Sequence, residues 1–257
     1  MILTQNIPVK KYSRIISLVP SQTELLWYLG LENEVTGITK FCIHPESWFR
    51  NKTRVGGTKK INFKTINQLS PDLIIANKEE NVKEQVEELA KNYDVWLTDV
   101  NDLNDSLKMI LDVGNLTKKS KKASELIFKI KDGFERLKEL SSNKRPVKTA
   151  YFIWKDPYMA AGGNTFINNM MQYCGLENVF CEQTRYPQIT LEEIRQKDLE
   201  LILLSSEPYP FKEKHLQEIQ KLFPKIRVEL ADGEMFSWYG SRLLKSIEYF
   251  PSFLKQI

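Results

Sequence analysis

The sequence predicts an α/β protein made of two similar lobes, each a parallel sheet covered by helices, with a single long helix joining them. Three observations predict it. First, the chain repeats itself: Tyr28-Leu29-Gly30-Leu31-Glu32-Asn33 returns 145 positions later as Tyr173-Cys174-Gly175-Leu176-Glu177-Asn178. Second, Phe63–Ile66 running into Asp72–Ala76 aligns without gaps to Leu191–Ile194 running into Glu200–Leu204, at an offset of 128. Two matches in the same order argue for duplicated structural units. Third, short apolar runs alternate with segments of helical periodicity, the pattern of strands connected through crossover helices.

The elements follow in order. Arg14–Val19 reads as a buried strand ended by Pro20, and Ser21-Gln22-Thr23-Glu24 has the capping-box pattern of a helix start. Leu25, Leu26, Tyr28 and Leu29 give that helix its apolar face, and Gly30 suits a left-handed C-terminal cap. Val35–Ile38 is a second strand, 41–60 an irregular stretch, Phe63–Leu69 a helix, Leu73–Ala76 a strand, Val82–Lys91 a helix and Val95–Leu97 a strand. Leu103, Leu107, Ile110 and Leu111 form one apolar stripe; Ala123, Leu126, Ile127, Ile130, Phe134 and Leu137 form another, at spacings of three and four. The second stripe predicts one helix over Thr117–Leu140, about 35 Å long at about 1.5 Å per residue. Thr149–Trp154 then opens the second lobe. Helices follow over 164–175 (Asn164 as N-cap), 191–196 and 214–222, strands over 201–204 and 227–230, and a last helix over 241–250 stopped by Pro251. The domain boundaries read from this pattern are 1–116, 117–141 for the bridging helix, and 142–257. The first lobe has 17 more residues between the two matches (145 less 128), all within 34–62, an insertion suited to forming a cleft wall.

Composition narrows the function. The 257 residues are 42% hydrophobic and 27% charged, with a net charge of only +4, the excess gathered near Lys118–Lys122 and Lys144–Lys148. No basic face with interleaved aromatics appears, so no nucleic-acid partner is expected, and no segment has the roughly 20 apolar residues needed to cross a bilayer. At the N-terminus Ile2 and Leu3 precede Thr4, Gln5, Asn6, Pro8, Lys10 and Lys11, the reverse of a secretory leader's basic-then-apolar order. The chain is therefore expected to be cytoplasmic if Met1 is native, or to begin after a removed leader. Cys42, Cys174 and Cys181 are odd in number and lack a CxxC pair, which argues for reduced, buried thiols. There is no Gly-x-Ser-x-Gly elbow, Walker loop or dinucleotide fingerprint, and Gly162-Gly163 completes none; the chain reads as a binding protein, not an enzyme.

Arg14–Leu26, Leu69–Ala76 and Cys174–Phe180 together resemble the substrate-binding proteins of bacterial ABC importers, in the helical-backbone group that carries cobalamin, ferric siderophores and haem. The resemblance runs from about Tyr12 to Phe250. It implies class III periplasmic-binding-protein-like architecture, with two Rossmann-like lobes on one long helix and a ligand held shallowly between them. It further implies a monomer with no cofactor of its own, periplasmic or cell-envelope placement, a cobalt corrinoid or ferric chelate as ligand, and delivery to a membrane permease. Within it, His44-Pro45 falls where cobalamin binders carry Tyr-Pro, Thr58 about where they carry Trp, Pro157-Tyr158 near a Pro-Phe pair, and Trp238-Tyr239 near another aromatic pair.

The candidate ligand-binding residues are Ser21, His44, Trp48, Thr58, Tyr158, Trp238 and Tyr239. Flat rings suit a flat macrocycle, and His44 is a candidate axial ligand to cobalt or iron; Phe41 reads as core. Bare-metal binding is excluded, because His44 and His215 are the only histidines and His215 reads as exposed on a helix. Ser21 at a helix start offers free amides to an anion or simply caps the helix. Arg185, Arg242 and Lys59 read as solvated charges, the alternative being pairing with an anionic ligand. Glu79 and Glu207 are equivalent at the 128 offset, each just past a buried strand, and the resemblance implies one docking glutamate per lobe facing permease arginines; Glu80 and Glu84 compete with Glu79 for that role. Two rival readings stay open: a cytoplasmic corrinoid- or haem-binding protein for storage or sensing, and, further off, a tetrapyrrole metal chelatase.

Overall fold

The computed structural model describes residues 1–4, 10–142 and 145–257. Gln5, Asn6 and Pro8 of the N-terminal pattern and Lys144 of the second basic stretch lie outside the described residues. The chain divides into two compact units.

The first unit comprises Met1–Val100, Asn104–Phe128 and Tyr239–Arg242. Its elements are β1 (Ile2–Leu3), β2 (Ile15–Ser17), α1 (Pro20–Tyr28), β3 (Val35–Ile38), α2 (Glu46–Asn51), β4 (Thr53–Arg54), α3 (Phe63–Leu69), β5 (Leu73–Asn77), α4 (Lys83–Ala90), β6 (Val95–Thr98), most of α5 (Leu103–Leu116) and the start of α6 (Ser120–Ser142). The sheet runs β1-β6-β5-β2-β3-β4 with every pair parallel. Ile74 lies opposite Ile16 on one side and Val95 on the other, and these three join Leu18, Val55, Ile66, Ala76, Val86 and Leu89 in the core.

The second unit comprises Asn101–Leu103, Lys129–Trp238 and Leu243–Ile257. It holds the rest of α6, then β7 (Val147–Trp154), β8 (Met159–Ala160), α7 (Phe166–Tyr173), β9 (Leu176–Asn178), α8 (Leu191–Gln196), β10 (Leu201–Ser205), α9 (Glu213–Leu222), β11 (Arg227–Ala231), α10 (Gly233–Ser237) and α11 (Leu243–Gln256). Its sheet runs β11-β10-β7, with β9 parallel and β8 antiparallel to β7. Ile202 lies opposite Ala150 and Val228, the arrangement Ile74 has in the first unit 128 positions earlier.

The duplication is therefore structural. In each unit a first strand (β2, β7) is flanked on one side by a strand entered from a helix and a glycine (β3, β9) and on the other by β5 or β10. At the helix ends Gly30 has φ +81° and Gly175 φ +68°, a left-handed conformation that L side chains adopt only with strain. Leu31 and Leu176 follow them into the core.

Several sequence expectations are corrected. α1 begins with Pro20 at its first position and Val19 as N-cap, so Ser21 is inside the helix and the expected capping box does not form; Thr23 bonds back to Val19 O and Ser17 Oγ. The N-cap of α7 is Thr165, whose hydroxyl accepts from Asn168 N, while Asn164 accepts from Arg185 N. α6 starts at Ser120, not Thr117. Thr117 follows the last residue of α5, its N–H and hydroxyl both donating to Val113 O, and Lys118 at φ +59° breaks the helix. Pro251 does not stop α11, which runs on to Gln256. The missing proline N–H forfeits one helical bond, but Phe250 and Phe253 both pack on Phe236, at ring distances of 4.8 and 5.9 Å, and Tyr249 stacks on Phe253. The irregular stretch 41–60 contains α2 and β4. Gly162 and Gly163 serve packing: their N–H groups donate to Arg185 O and Gln183 O, and a Cβ on Gly163 would stand 1.9 Å from Cys181 O. Cys181 is exposed, whereas Cys42 and Cys174 are buried.

Candidate functional site

In a parallel sheet all strands end on one edge, and in open α/β sheets ligands bind outside that carboxyl edge. Every candidate residue lies on a segment leaving such a strand end. Ser21 follows β2, His44 and Trp48 follow β3, Thr58 follows β4 and Glu79 follows β5. In the second unit Tyr158 follows β7, Glu207 follows β10, and Trp238 follows β11 through α10.

In the first unit the edge is built on a buried polar network. Gln22 Nε2 donates to Thr98 Oγ1 at 2.6 Å, and Thr98 Oγ1 donates to Ala76 O. Asn77 Nδ2 donates to Thr98 at 3.2 Å, Asn81 Oδ1 accepts from Asn77 N at 2.9 Å, and Asn81 Nδ2 donates to Leu18 O and Thr58 O. The network ties the ends of β2, β5 and β6 to the loop after β4, and Thr58 is buried on it. Tyr239 is also buried here, its hydroxyl beside Gln22 and Ser21. Burial, then the carboxylates of Glu80 and Glu79, push its phenol pKa up. Burial likewise raises the Glu80 carboxyl, against the pull of Lys59. Lys59 Nζ donates to Glu79 O at 2.5 Å.

Two aromatics in the insertion exchange the roles expected of them. Trp48 is 1% exposed on α2, with its indole N–H on Glu32 and the Lys52 ammonium 5.2 Å from its ring, so it offers a ligand no free ring face. Phe41, expected in the core, is 50% exposed, with Ile43 at 43% and the partly exposed His44 next along the same loop. The loop is anchored beneath these side chains: buried Cys42 accepts from the Thr23 hydroxyl at 3.1 Å and is hydrogen-bonded to Thr39 Oγ1 at 3.2 Å, and burial raises its thiol pKa.

In the second unit Glu207 Oε1 accepts from Trp238 Nε1 and from Ser237 Oγ, each at 2.7 Å. Trp238, at the end of α10, is thereby fixed through its polar edge. Tyr158 is half-buried with its ring 5.5 Å from Phe152, and burial raises its phenol pKa. The pair Trp238-Tyr239 is divided: Trp238 belongs to the second unit, and Tyr239 to the first.

The arginines are also sorted. Arg242, read as a solvated charge, is 2% exposed, and its Nε donates to Glu24 Oε2 at 2.8 Å. Glu24 is the residue assigned to the unformed capping box, which it leaves for this partner 218 positions away. Arg185 is exposed and adopts φ +58°. His215, read as exposed, is 7% exposed; its Nδ1 accepts from Lys212 N at 3.0 Å and closes the start of α9, and burial followed by Lys214 lowers its pKa. Among the described residues no group of three or more His, Cys, Asp or Glu side chains is placed to hold a metal ion, and no helix is long and apolar enough to cross a membrane.

What sequence reasoning missed is the Gln22–Asn77–Asn81–Thr98 network and the exposed Phe41–Ile43 pair. The network did leave a signal, because Asn77 is a polar residue closing an otherwise apolar strand.

Two parallel-sheet units with candidate binding residues on strand-end loops define the class: a bilobal α/β ligand-binding protein. Residues 15–222 match the periplasmic binding protein family, and the chain belongs to that family. It is 23% identical over 201 residues to the vitamin B12-binding protein of Yersinia pestis, covering 77% of this chain and 71% of the relative. Its fold superposes on the periplasmic vitamin B12 binding protein of Vibrio cholerae with a TM-score of 0.81, at 20% identity and with 95% and 97% of the two chains covered. A periplasmic haem binding protein from Pseudomonas aeruginosa superposes with a TM-score of 0.82 at 16% identity, covering 95% and 92%. These relatives are binding proteins, and the architecture is that of the class III periplasmic binding proteins.

Proposed function

We propose that the protein is the substrate-binding component of an ABC importer, that its substrate is a tetrapyrrole-type metal chelate, a cobalt corrinoid before haem, and that it passes this substrate to a membrane permease. The observation that carries the reading is the placement of the candidate residues at the carboxyl edges of both sheets, in a chain whose curated relatives bind vitamin B12. On the first unit, Phe41 and Ile43 offer exposed apolar contact; on the second, half-buried Tyr158 and the 8% exposed Trp238 are the aromatic candidates. An aromatic ring that is already held, as Trp238 is by Glu207, gives contact area at small entropic cost. His44 stands beside Phe41 and Ile43 with an imidazole able to enter the axial position of cobalt or iron. Glu79 and Glu207, at equivalent strand ends, are the proposed docking carboxylates for permease arginines; such charges orient a partner more than they add affinity.

The test is a visible-absorbance titration of the purified protein with aquocobalamin, haemin and a ferric catecholate. Saturable binding of aquocobalamin with a shifted cobalt band, the shift being lost in His44→Ala, is the expected result. Binding without a shift removes His44 as axial ligand. Saturable binding of the ferric catecholate alone overturns the corrinoid reading, and binding of none overturns the chelate reading altogether.

A further inference from the structure

The two docking glutamates sit on loops whose geometry is fixed by one device used twice. β5 and β10 end at Asn77 and Ser205, which are equivalent at the 128 offset and are 2% and 1% exposed. Each is the polar last residue of an apolar strand, and each turns its side chain back on the loop that follows. Asn77 Oδ1 accepts from the backbone N–H of Glu79 at 2.8 Å and of Glu80 at 3.1 Å. Ser205 Oγ donates to Glu207 O at 2.5 Å and accepts from Glu207 N at 3.4 Å. Both side chains are themselves held from the sheet side: Asn77 Nδ2 donates to Thr98 O and Oγ1 at 3.2 Å, and Ser205 Oγ accepts from Tyr151 OH at 3.2 Å. In each unit, then, a buried side chain rigidly attached to a central strand grips the backbone of the residue two positions on. A side chain that closes a local turn in this way sets where the next side chain leaves the surface.

We infer that Asn77 and Ser205 are positioning residues that fix the two docking glutamates for permease engagement, an inference resting on the docking reading of Glu79 and Glu207. The two side chains differ in kind, an amide and a hydroxyl, but do the same work on the backbone of the equivalent residue. The shared requirement is an acceptor at the end of the strand within reach of the i+2 N–H. Docking onto two fixed arginines demands that both carboxylates keep their places while no partner is bound, because every loop conformation that must be frozen on contact subtracts from affinity.

The experiment replaces the chromosomal copy in the native host and measures uptake of radiolabelled cyanocobalamin and of haemin, alongside backbone amide exchange and cyanocobalamin affinity of each purified variant. Glu79→Ala tests the docking reading itself and is expected to lower uptake at least about tenfold; unchanged uptake of both probes would refute that reading. With it standing, Asn77→Ala is expected to lower uptake at least threefold and to speed exchange of the Glu79 and Glu80 amides at least tenfold. Asn77→Ser, which installs the side chain the second unit uses at 205, is expected to recover at least half of the uptake. Ser205→Ala and Ser205→Thr are expected to behave in parallel at Glu207. A merely structural role for Asn77 predicts that Asn77→Ser, which also loses the amide's donation to Thr98, is as impaired as Asn77→Ala. That result, or wild-type uptake in Asn77→Ala beside impaired uptake in Glu79→Ala, would overturn the inference.

Discussion

The buried ion pair Glu24–Arg242 gives the clearest quantitative prediction. Its side chains are 7% and 3% exposed, with Nε 2.8 Å from Oε2. It joins α1 to the four-residue segment Tyr239–Arg242, which belongs to the first unit although the residues on either side belong to the second. At an effective dielectric constant of about 20, two unit charges about 4 Å apart attract by about 4 kcal/mol. Both ions have been taken out of water, so the net value of the pair is far smaller, but removing one partner strands the other. Arg242→Met or Glu24→Gln is expected to cost about 3–5 kcal/mol. For a chain of this size about 2–4 °C is lost per kcal/mol, so the transition of the first unit should fall by about 6–20 °C. The double variant Glu24→Leu/Arg242→Met replaces the pair with apolar volume and should lie within about 2 kcal/mol of wild type, giving a large coupling energy in the double-mutant cycle. Urea unfolding followed by far-ultraviolet circular dichroism, with amide exchange of α1 to locate the loss, measures all four corners. Single variants costing under about 1 kcal/mol, or a strictly additive double variant, would refute the argument that these charges are desolvated and mutually dependent.

Three further outcomes follow from the geometry. Gly163→Ala places a Cβ 1.9 Å from Cys181 O and should destabilise the second unit by at least about 1–3 kcal/mol, read as a drop in its urea midpoint; an unchanged midpoint would show that 181–187 yields freely. His215 has a folded-state pKa below its ordinary value, so between the two values the unfolded chain binds the extra proton. Its contribution is complete above the unfolded value of about 6.5 and is lost as pH falls from there through the folded one; His215→Gln should flatten the stability profile in that window, and an unchanged slope would contradict it. Glu207→Gln keeps an acceptor for the Trp238 indole whereas Glu207→Ala removes it, so tryptophan fluorescence and chelate affinity should change at least about threefold more in the alanine variant.

Much of the fold was legible because its signals are local. Leu73–Asn77 and Leu201–Ser205 are apolar runs of strand length, α3 and α8 occupy the residues read from the second repeat, and the 128 offset survives as matching strand register at Ile74 and Ile202. Signals that depend on distant partners were not legible. Ser21-x-x-Glu24 has the form of a capping box, but Arg242 outcompetes the local amide for the carboxylate. Pro251 has the form of a stop, but the packing of Phe250 and Phe253 on Phe236 outweighs one lost hydrogen bond. The two-residue strand β1 carries no pattern at all and exists because β6 offers an edge. At the site the same division holds. Glu79 and Glu207 do lie just past buried strands, yet which insertion aromatic faces solvent was not legible: Trp48 is buried against Glu32 and Phe41 is left outside, a choice made by tertiary partners that composition does not reveal.

The most direct test of the account is the affinity of cyanocobalamin measured by isothermal titration calorimetry in wild type and in three variants. The account predicts saturable binding, with affinity lowered at least about tenfold by Phe41→Ala and likewise by Tyr158→Ala, the loss of aromatic contact being worth about 1.4 kcal/mol or more in each. Phe128→Ala, a truncation of a ring 72% exposed on α6, should leave the affinity unchanged. Tight binding that neither Phe41→Ala nor Tyr158→Ala weakens would contradict the proposal that aromatic residues on strand-end loops contact the ligand.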